Sequence, residues 1–402
     1  MLRSSLPLDK KALVIGSGPS GLMAAEMLGR AGVKVIVAEA KPSVARKFLM
    51  AGKSGLNLTK NESLDQFIES FYGKHSHLRP ILKAFGPKEV MAWADGLGAD
   101  TFIGSTKRVF PKVMKASPLV RAWVGRLLNL DVKLQTKWRW FGTGDRTFFF
   151  ETPYGNETLE PDVTILALGG ASWPKLGSDG TWVKWFKANN IELHPLGAAN
   201  VALRINWSHH MARHFGQPIK SVSFHTKSLK VRGEAIISEK GLEGNGIYQI
   251  SRAIRLSEKL YIDLLPDRSD KKLITLLTKP RGKKSYTNHL RKTLKFGPEK
   301  LALLQEFGRP LPVDPTQMAL LLKSLPVKHQ DLASIEGAIS TSGGVSFSAL
   351  TKSLMLKSKP GVFCAGEMLD WEAPTGGYLI TAALATGRWA GTKAAQFAKT
   401  AS

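Results

Sequence analysis

Lys11 to Gly21 reads KALVIGSGPSG, and the chain continues through LMAAEMLGRA, Leu22 to Ala31, into VKVIVAEA, Val33 to Ala40. This is the order of a dinucleotide-binding βαβ unit: an apolar strand at Ala12–Ile15, a glycine loop, a helix, and a second strand ending in an acid. Gly16, Gly18 and Gly21 fill the three glycine places of G-x-G-x-x-G. Gly16 permits the tight turn, Gly18 lets backbone N–H groups approach a pyrophosphate, and Gly21 lets the helix pack on the strand. Glu39 can accept ribose hydroxyls, and a carboxylate there favours an unphosphorylated ribose over a 2′-phosphate. A lone glycine motif is often only a turn before a helix. Here strand, helix, second strand and acid stand in register.

The chain has 402 residues, enough for two or three domains with a sizeable core. Its hydrophobic content of 43% and charged content of 22% are those of an ordinary globular protein. No apolar run approaches a membrane span, and MLRSSLPLDKK passes directly into the first strand, so a cytoplasmic location without a membrane association is expected. Cys364 is the only cysteine, which excludes an intramolecular disulfide, a dithiol redox pair and a cysteine-rich metal site.

Charge is the second unusual quantity. Fifty-seven Lys+Arg against 32 Asp+Glu give a net charge of +25, more than solubility requires, which points to an anionic partner, RNA being the natural one in the cytoplasm. Solvated lysines without a polyanion partner are the alternative. The densest segment, KPRGKKSYTNHLRKTLK from Lys279 to Lys295, adds Tyr286 and His289, which can stack on a base. It reads equally as the exposed face and loop of a helix.

The expected fold class is α/β. Pro87–Leu97 and Ser117–Leu128 have helical spacing, Thr101–Ile103 is a short strand, Val132–Phe141 and Thr147–Thr152 read as paired strands, and PDVTILAL, Pro161–Leu168, is a buried strand running into Gly169-Gly170. From about Leu196 to Leu265 the runs VALRINW, SVSFHTKSLKV and KLYIDLLP alternate at period two, as an antiparallel β module does. Asp270–Leu325 is helical, punctuated by Pro280, Pro298 and Pro312, with Pro326 just beyond. The tail returns to nucleotide chemistry. KPGVFCAGE, Lys359–Glu367, is a strand ending in Gly366-Glu367, and PTGG, Pro374–Gly377, precedes a helix over Tyr378–Phe397. The N–H groups and dipole at Tyr378–Ile380 suit the pyrimidine end of a flavin, where negative charge gathers on reduction.

Taken together, GSGPSG (Gly16–Gly21), Arg46-Lys47 with AGKSGLNLT (Ala51–Thr59), RVFPKVMKAS (Arg108–Ser117), LALGGASWPKLGSDG (Leu166–Gly180), TSGGV (Thr341–Val345) and FCAGEMLDWEAPTGGY (Phe363–Tyr378) resemble the YhiN-like flavoproteins, in order and over nearly the whole chain. This is the BaiN/RdsA-type NAD(P)/FAD-dependent oxidoreductase group, also labelled the aminoacetone oxidase family. The resemblance implies a discontinuous Rossmann-like FAD-binding domain, residues 1–195 and 335–402, with an inserted antiparallel β module at 196–268 and a small helical module at 269–334. It further implies Gly16, Gly18, Ser20 and Gly21 at the pyrophosphate and Glu39 at the adenosine ribose. Lys47 and Asn57 would lie near the phosphates or flavin, Gly169 on the adenosine side, and Gly366, Glu367, Gly377, Tyr378 and Leu379 along the ribityl chain and ring. Two departures stand out: the family's G-G-G-R-C-N is Gly52-Lys53-Ser54-Gly55-Leu56-Asn57, and its Asn after Gly-Gly-Tyr is Leu379.

No second G-x-G-x-x-G occurs, so an NAD(P)H donor would visit the flavin transiently. Lys53, Tyr248 and His225 are the candidate proton donors. His209, His210 and His214 include an i, i+4 pair but no third ligand, and a solvated helix face is the simpler reading, with no metal. KWRW, Lys137–Trp140, reads as a strand in the core, and Cys364 as a buried thiol. The expected function is therefore an FAD-dependent oxidoreductase, its substrate either an RNA pyrimidine, as in conversion of uridine to dihydrouridine in ribosomal RNA, or a small molecule. A flavin-bearing RNA-binding protein without turnover is the reading from another class.

Overall fold

A computed structural model describes residues 10–53, 55–73 and 75–400. The leader Met1–Asp9 and Ser54 of the AGKSGLNLT stretch lie outside the described residues. The chain forms two compact units, residues 1–197 with 340–402, and residues 198–339.

The first unit is built on a five-stranded parallel sheet in the order Val362–Cys364, Val163–Leu166, Lys11–Ile15, Lys34–Glu39, Lys133–Thr136. Its central strands, VTIL and ALVI, are apolar but for Thr164, and every one of those residues is buried, as strands covered on both faces must be. The helix Pro19–Arg30 follows the glycine loop, and the helix Tyr378–Thr400 packs against it. Glycine sets the distance between these two helices. A Cβ on Gly387 would stand 2.2 Å from the Ser20 carbonyl oxygen, and one on Gly391 would stand 2.6 Å from that of Ala24.

Glu26 on the first helix is 1% exposed, which is tolerable only because its oxygens are all served. It pairs with Arg30 at 2.8 Å and Arg126 at 3.3 Å, and accepts from the indole N–H groups of Trp123 at 2.8 Å and Trp93 at 3.4 Å. Those contacts tie Pro87–Asp95 and Ala116–Leu128 onto the first helix. Two surface depressions of about 550 and 410 Å³ share Arg30, Gly96 and Arg126 here, and neither is lined by the glycine loop.

Val132–Phe141, expected as one strand paired with Thr147–Thr152, is two strands. Lys137 adopts φ +61°, which breaks the run. Lys133–Thr136 joins the parallel sheet, while Arg139–Thr143 pairs with Phe148–Thr152 in a separate three-stranded meander. Trp138 packs on Phe150 and Trp140 on Trp185, the core role expected of KWRW.

The second unit holds a six-stranded sheet in the order Leu203–Arg204, Gly241–Glu243, Lys230–Ser238, Pro218–His225, Tyr261–Asp263, Leu325–Pro326, antiparallel throughout. A helix at Asn245–Arg255 interrupts the stretch expected to contain only strands. Four more helices follow, Asp270–Leu277, Tyr286–Leu294, Pro298–Gly308 and Pro315–Lys323, with Ser269, Ser285 and Asp314 capping three of them through side-chain oxygens. Sheet and helices share one hydrophobic core, from Ile219 and Phe224 to Leu304 and Met318. Lys323 pairs with buried Asp263 at 2.7 Å, and Lys300 donates to the carbonyls of Ser221 and Leu264 at 3.0 and 2.8 Å, tying helices to sheet.

Among the described residues no helix is long and apolar enough to cross a membrane, and no cluster of His, Cys, Asp and Glu is arranged to hold a metal ion. His209 and His210 are exposed on a 3-10 helix, while His214, expected on a solvated face, is buried and hydrogen-bonds Gln217.

Candidate functional site

Parallel strands deliver the loops that follow them to one edge of the sheet, the place where α/β folds bind ligands. Here those loops begin at Gly16, Ala40, Ala167 and Ala365. The glycines of the first loop differ in what surrounds them. A Cβ on Gly16, at φ +100°, would strike the Ala167 carbonyl oxygen at 2.3 Å, and one on Gly21 would strike that of Gly16 at 1.9 Å. Gly18 has ordinary φ −69° and open space, with no atom within 4 Å of its Cβ position. Packing therefore requires glycine at 16 and 21 and not at 18. Gly18 is also the helix N-cap and offers no side chain to the first-turn N–H groups, which stay available to an anion.

Ser17 organises the loop around Glu39. Its N–H donates to Glu39 Oε2 at 3.1 Å, its hydroxyl donates to the same oxygen, and its carbonyl accepts from Ala45 N–H at 3.0 Å. Glu39 Oε1 accepts from Lys41 N–H at 2.7 Å. The contact at Ala45 fixes the start of the short helix Arg46–Ala51, and so places Lys47. Lys47 Nζ lies 2.7 Å from Glu367 Oε2 and donates to Ser172 Oγ at 2.6 Å, while Glu367 Oε1 accepts from Thr341 N–H at 3.0 Å. Four sequence-distant segments are thereby joined.

The tail is held as tightly. Gly366, at φ +84°, leaves 2.3 Å between its Cβ position and Ser20 Oγ, which sets the strand-end glycine directly against the first helix. A Cβ on Gly377, at φ +98°, would stand 2.5 Å from the Thr59 backbone, and the C-terminal helix starts immediately after this glycine. Next to it, buried Tyr378 donates its hydroxyl to Glu62 at 2.6 Å and accepts from Lys60 Nζ at 2.8 Å, and Lys60 pairs with Glu62 at 2.9 Å. Burial and the Glu62 contact raise the tyrosine pKa. Burial acts to lower that of Lys60, but the bonds to Tyr378 and Glu62 outweigh it and the net shift is upward. Sequence reading missed this cluster. Its only signal is the Lys60-x-Glu62 spacing beside a short strand.

Two buried polar atoms at this edge lack partners among the described residues: Asn57 Oδ1, and Ser178 Oγ, 3.2 Å from the Cβ position of Gly169. A dinucleotide would serve these atoms, the uncapped helix start and the open space at Gly18, so the residues present fit FAD. Leu379 is half-buried and packs on the core. The three candidate proton donors fall in both units. Lys53 is exposed in the turn after Arg46–Ala51, whereas Tyr248 and His225 belong to the second unit. His225 shares a 3.1 Å hydrogen bond with Ser324 and stacks on Tyr261, while its Nδ1 is buried without a partner among the described residues. Burial raises the pKa of Tyr248 and lowers that of His225. Cys364 is fully buried, which pushes its thiol pKa far up, in keeping with an inert core thiol.

A glycine loop opening a helix, an acid on the next strand and a second helix starting at the same sheet edge define a flavin-type dinucleotide-binding protein. Residues 10–393 match the HI0933-like protein Rossmann domain; the chain belongs to that family and is an FAD-dependent oxidoreductase. It is 26% identical over 407 aligned positions to the 3-dehydro-bile acid delta(4,6)-reductase of Clostridium scindens, covering 95% of this chain and 98% of that one. It is 23% identical over 390 positions to the ribosomal RNA dihydrouridine synthase of Escherichia coli, covering 91% and 93%. Among solved structures, a 3-ketosteroid-delta4-(5alpha)-dehydrogenase from Rhodococcus jostii has the same fold, with a TM-score of 0.53 at 15% identity over 98% of this chain and 99% of that one.

Proposed function

We propose that this enzyme saturates a carbon–carbon double bond conjugated to a carbonyl, with NAD(P)H as donor, and that its substrate is an unpaired pyrimidine of RNA, uridine becoming dihydrouridine. Bound FAD supplies the two-electron hydride relay between donor and substrate. Per turnover one NAD(P)H and one proton are consumed, and one C=C becomes CH–CH. The protein's part is to bind the pyrophosphate at Gly18 and the first helix, hold the ribose at Glu39, and present N–H groups at the start of the C-terminal helix. The names of both relatives describe such a saturation, one in a bile acid and one in ribosomal RNA. The observation that carries the RNA reading is the charge of +25, which a steroid-sized substrate does not call for.

The 26% identity to the bile acid reductase favours a second reading, a small planar enone as substrate. Two measurements decide between them. Anaerobic addition of NADH or NADPH should bleach the bound flavin, and nucleoside mass spectrometry of RNA from a deletion strain should show loss of dihydrouridine that the gene restores. Bleaching with unchanged RNA nucleosides rejects the RNA substrate and leaves the small molecule; no bleaching by either nucleotide rejects the donor.

A further inference from the structure

Thr101–Ile103 is the edge strand of a three-stranded antiparallel sheet with Arg108–Pro111 and Thr59–Lys60. Edge strands are normally blunted with charge or covered. This one exposes Phe102 and Ile103, at 44% and 47%, and the turn beyond the neighbouring strand exposes Val113 and Met114. These side chains are not scattered. The Phe102 and Phe110 rings lie 5.8 Å apart, and Phe110 and Met114 flank Gly55, whose Cβ position is 3.9 Å from the Phe110 ring and 2.9 Å from Met114 Cε.

The surface adjoins the flavin edge on two sides. Leu56 N–H donates to the Met114 carbonyl at 2.8 Å, which sets the platform beside Asn57 with its unpartnered buried oxygen. Arg108 lies against Gly376, its Nε 3.8 Å from the Cβ position there, at the entrance to the C-terminal helix. Charge surrounds it. Residues 101–130 hold Lys107, Arg108, Lys112, Lys115, Arg121 and Arg126 and no acid; the acids beside the strand are Asp95, which accepts from Thr101, the exposed Asp100, and Glu62, which is paired with Lys60. Lys53, Lys107, Lys112 and Lys115 are exposed.

We infer that Phe102, Phe110 and Met114 form a stacking platform for unpaired RNA bases, with the phosphates held by Lys107, Lys112 and their neighbours, so that a strand is delivered to the flavin edge. This rests on the RNA reading above and adds where and how the strand is held. Exposed rings on a surface where basic residues predominate suit single-stranded nucleic acid, because every base has a face to stack and every linkage a charge to pair. An uncharged small molecule would not need so many lysines.

The test uses full-length FAD-loaded protein, a fluorescein-labelled single-stranded oligouridine of about 12 nucleotides, the corresponding RNA duplex, and phosphatidylserine vesicles. Flavin content per chain serves as the folding control. Wild type should bind the single strand more tightly than the duplex. Phe102→Ser with Met114→Ser should weaken that binding by at least about tenfold at an unchanged salt slope. Lys107→Gln with Lys112→Gln should reduce the slope of log affinity against log salt by about 1.4, whereas Arg281→Gln with Lys283→Gln in the second unit should not. Wild type that fails to bind RNA overturns the RNA reading and this inference with it. Wild-type binding that survives both platform pairs, or is equal for duplex and single strand, overturns the platform alone. Binding to vesicles but not RNA assigns the surface to lipid and also overturns it.

Discussion

Lys279–Lys295 and Thr101–Lys115 are both basic and both carry aromatic rings, yet they dispose of those rings in opposite ways. In the first, His289 is 5% exposed, and Tyr286 packs on the core of the second unit with its hydroxyl on the Pro312 carbonyl at 2.5 Å. His289 is closed to a base and Tyr286 is half-buried, which favours the reading of that segment as the exposed face and loop of a helix. In the second, Phe102 is open to solvent. The difference is one of period. On the helix Tyr286–Leu294, Tyr286, His289 with Leu290, and Leu294 recur every three or four positions and turn inward together, leaving Arg291 and Lys292 outside. On an edge strand alternate residues face opposite ways, and no layer covers the outward face of Thr101–Ile103. Charge density alone does not locate a binding surface.

The same contrast holds for glycine. Gly246 of the second unit is required by packing, since a Cβ there would meet the Phe224 ring at 2.5 Å and the Glu234 carbonyl at 2.9 Å, whereas Gly18 of the first unit borders empty space. Gly246→Val should therefore destabilise the fold by about 1–3 kcal/mol or more through overpacking, read as a lowered urea midpoint. Gly18→Val should destabilise the flavin-free protein by only about 0.5–1 kcal/mol, as a poorer N-cap, while reducing FAD affinity at least about tenfold, or about 1.4 kcal/mol. A Gly18 variant that unfolds but keeps its flavin would abolish the contrast.

Glu39 sharpens it. The carboxylate braces Ser17 and Lys41, so removing it disturbs the loop as well as the ribose contacts, and Glu39→Gln is a cleaner probe than alanine. FAD affinity should fall by about 1.5–3 kcal/mol, the worth of hydrogen bonds to a charged acceptor, by titration of flavin fluorescence. Unchanged affinity would mean that the carboxylate serves the loop only.

The parallel sheet, its glycine loop and its discontinuity were legible because each rests on local signals: continuous apolar strands, glycines at fixed spacing, and a second Gly-acid strand near the end. The joining of Lys47 to Glu367 and of Tyr378 to Lys60 and Glu62 was not, because those partners are separated by more than 300 residues and meet only through the Gly366–Ser20 and Gly377–Thr59 approaches. The helix Asn245–Arg255 was hidden by strand-like neighbours, and the split at Lys137 by a left-handed residue that no composition rule marks.

The smallest expected effect concerns His225, a candidate proton donor that the structure places in the second unit between Ser324 and Tyr261. Burial lowers its pKa, with Lys230 and Lys323 acting in the same direction and Asp263 opposing them. The unfolded chain then holds a proton at this site that the folded chain rejects. Stability should be full above the unfolded value of about 6.5, fall as pH drops below it, and level off once the lowered folded value is passed. His225→Gln keeps a polar atom for Ser324 and removes the titration. It should flatten the loss of urea stability between about pH 7.5 and 5.5, though not abolish it, because burial lowers the pKa of His329 as well. The pH profile of flavin reduction should not move. If the reaction profile shifts while the stability slope stays, His225 supplies a proton to the chemistry, and the assignment of that chemistry to the first unit alone fails at that residue.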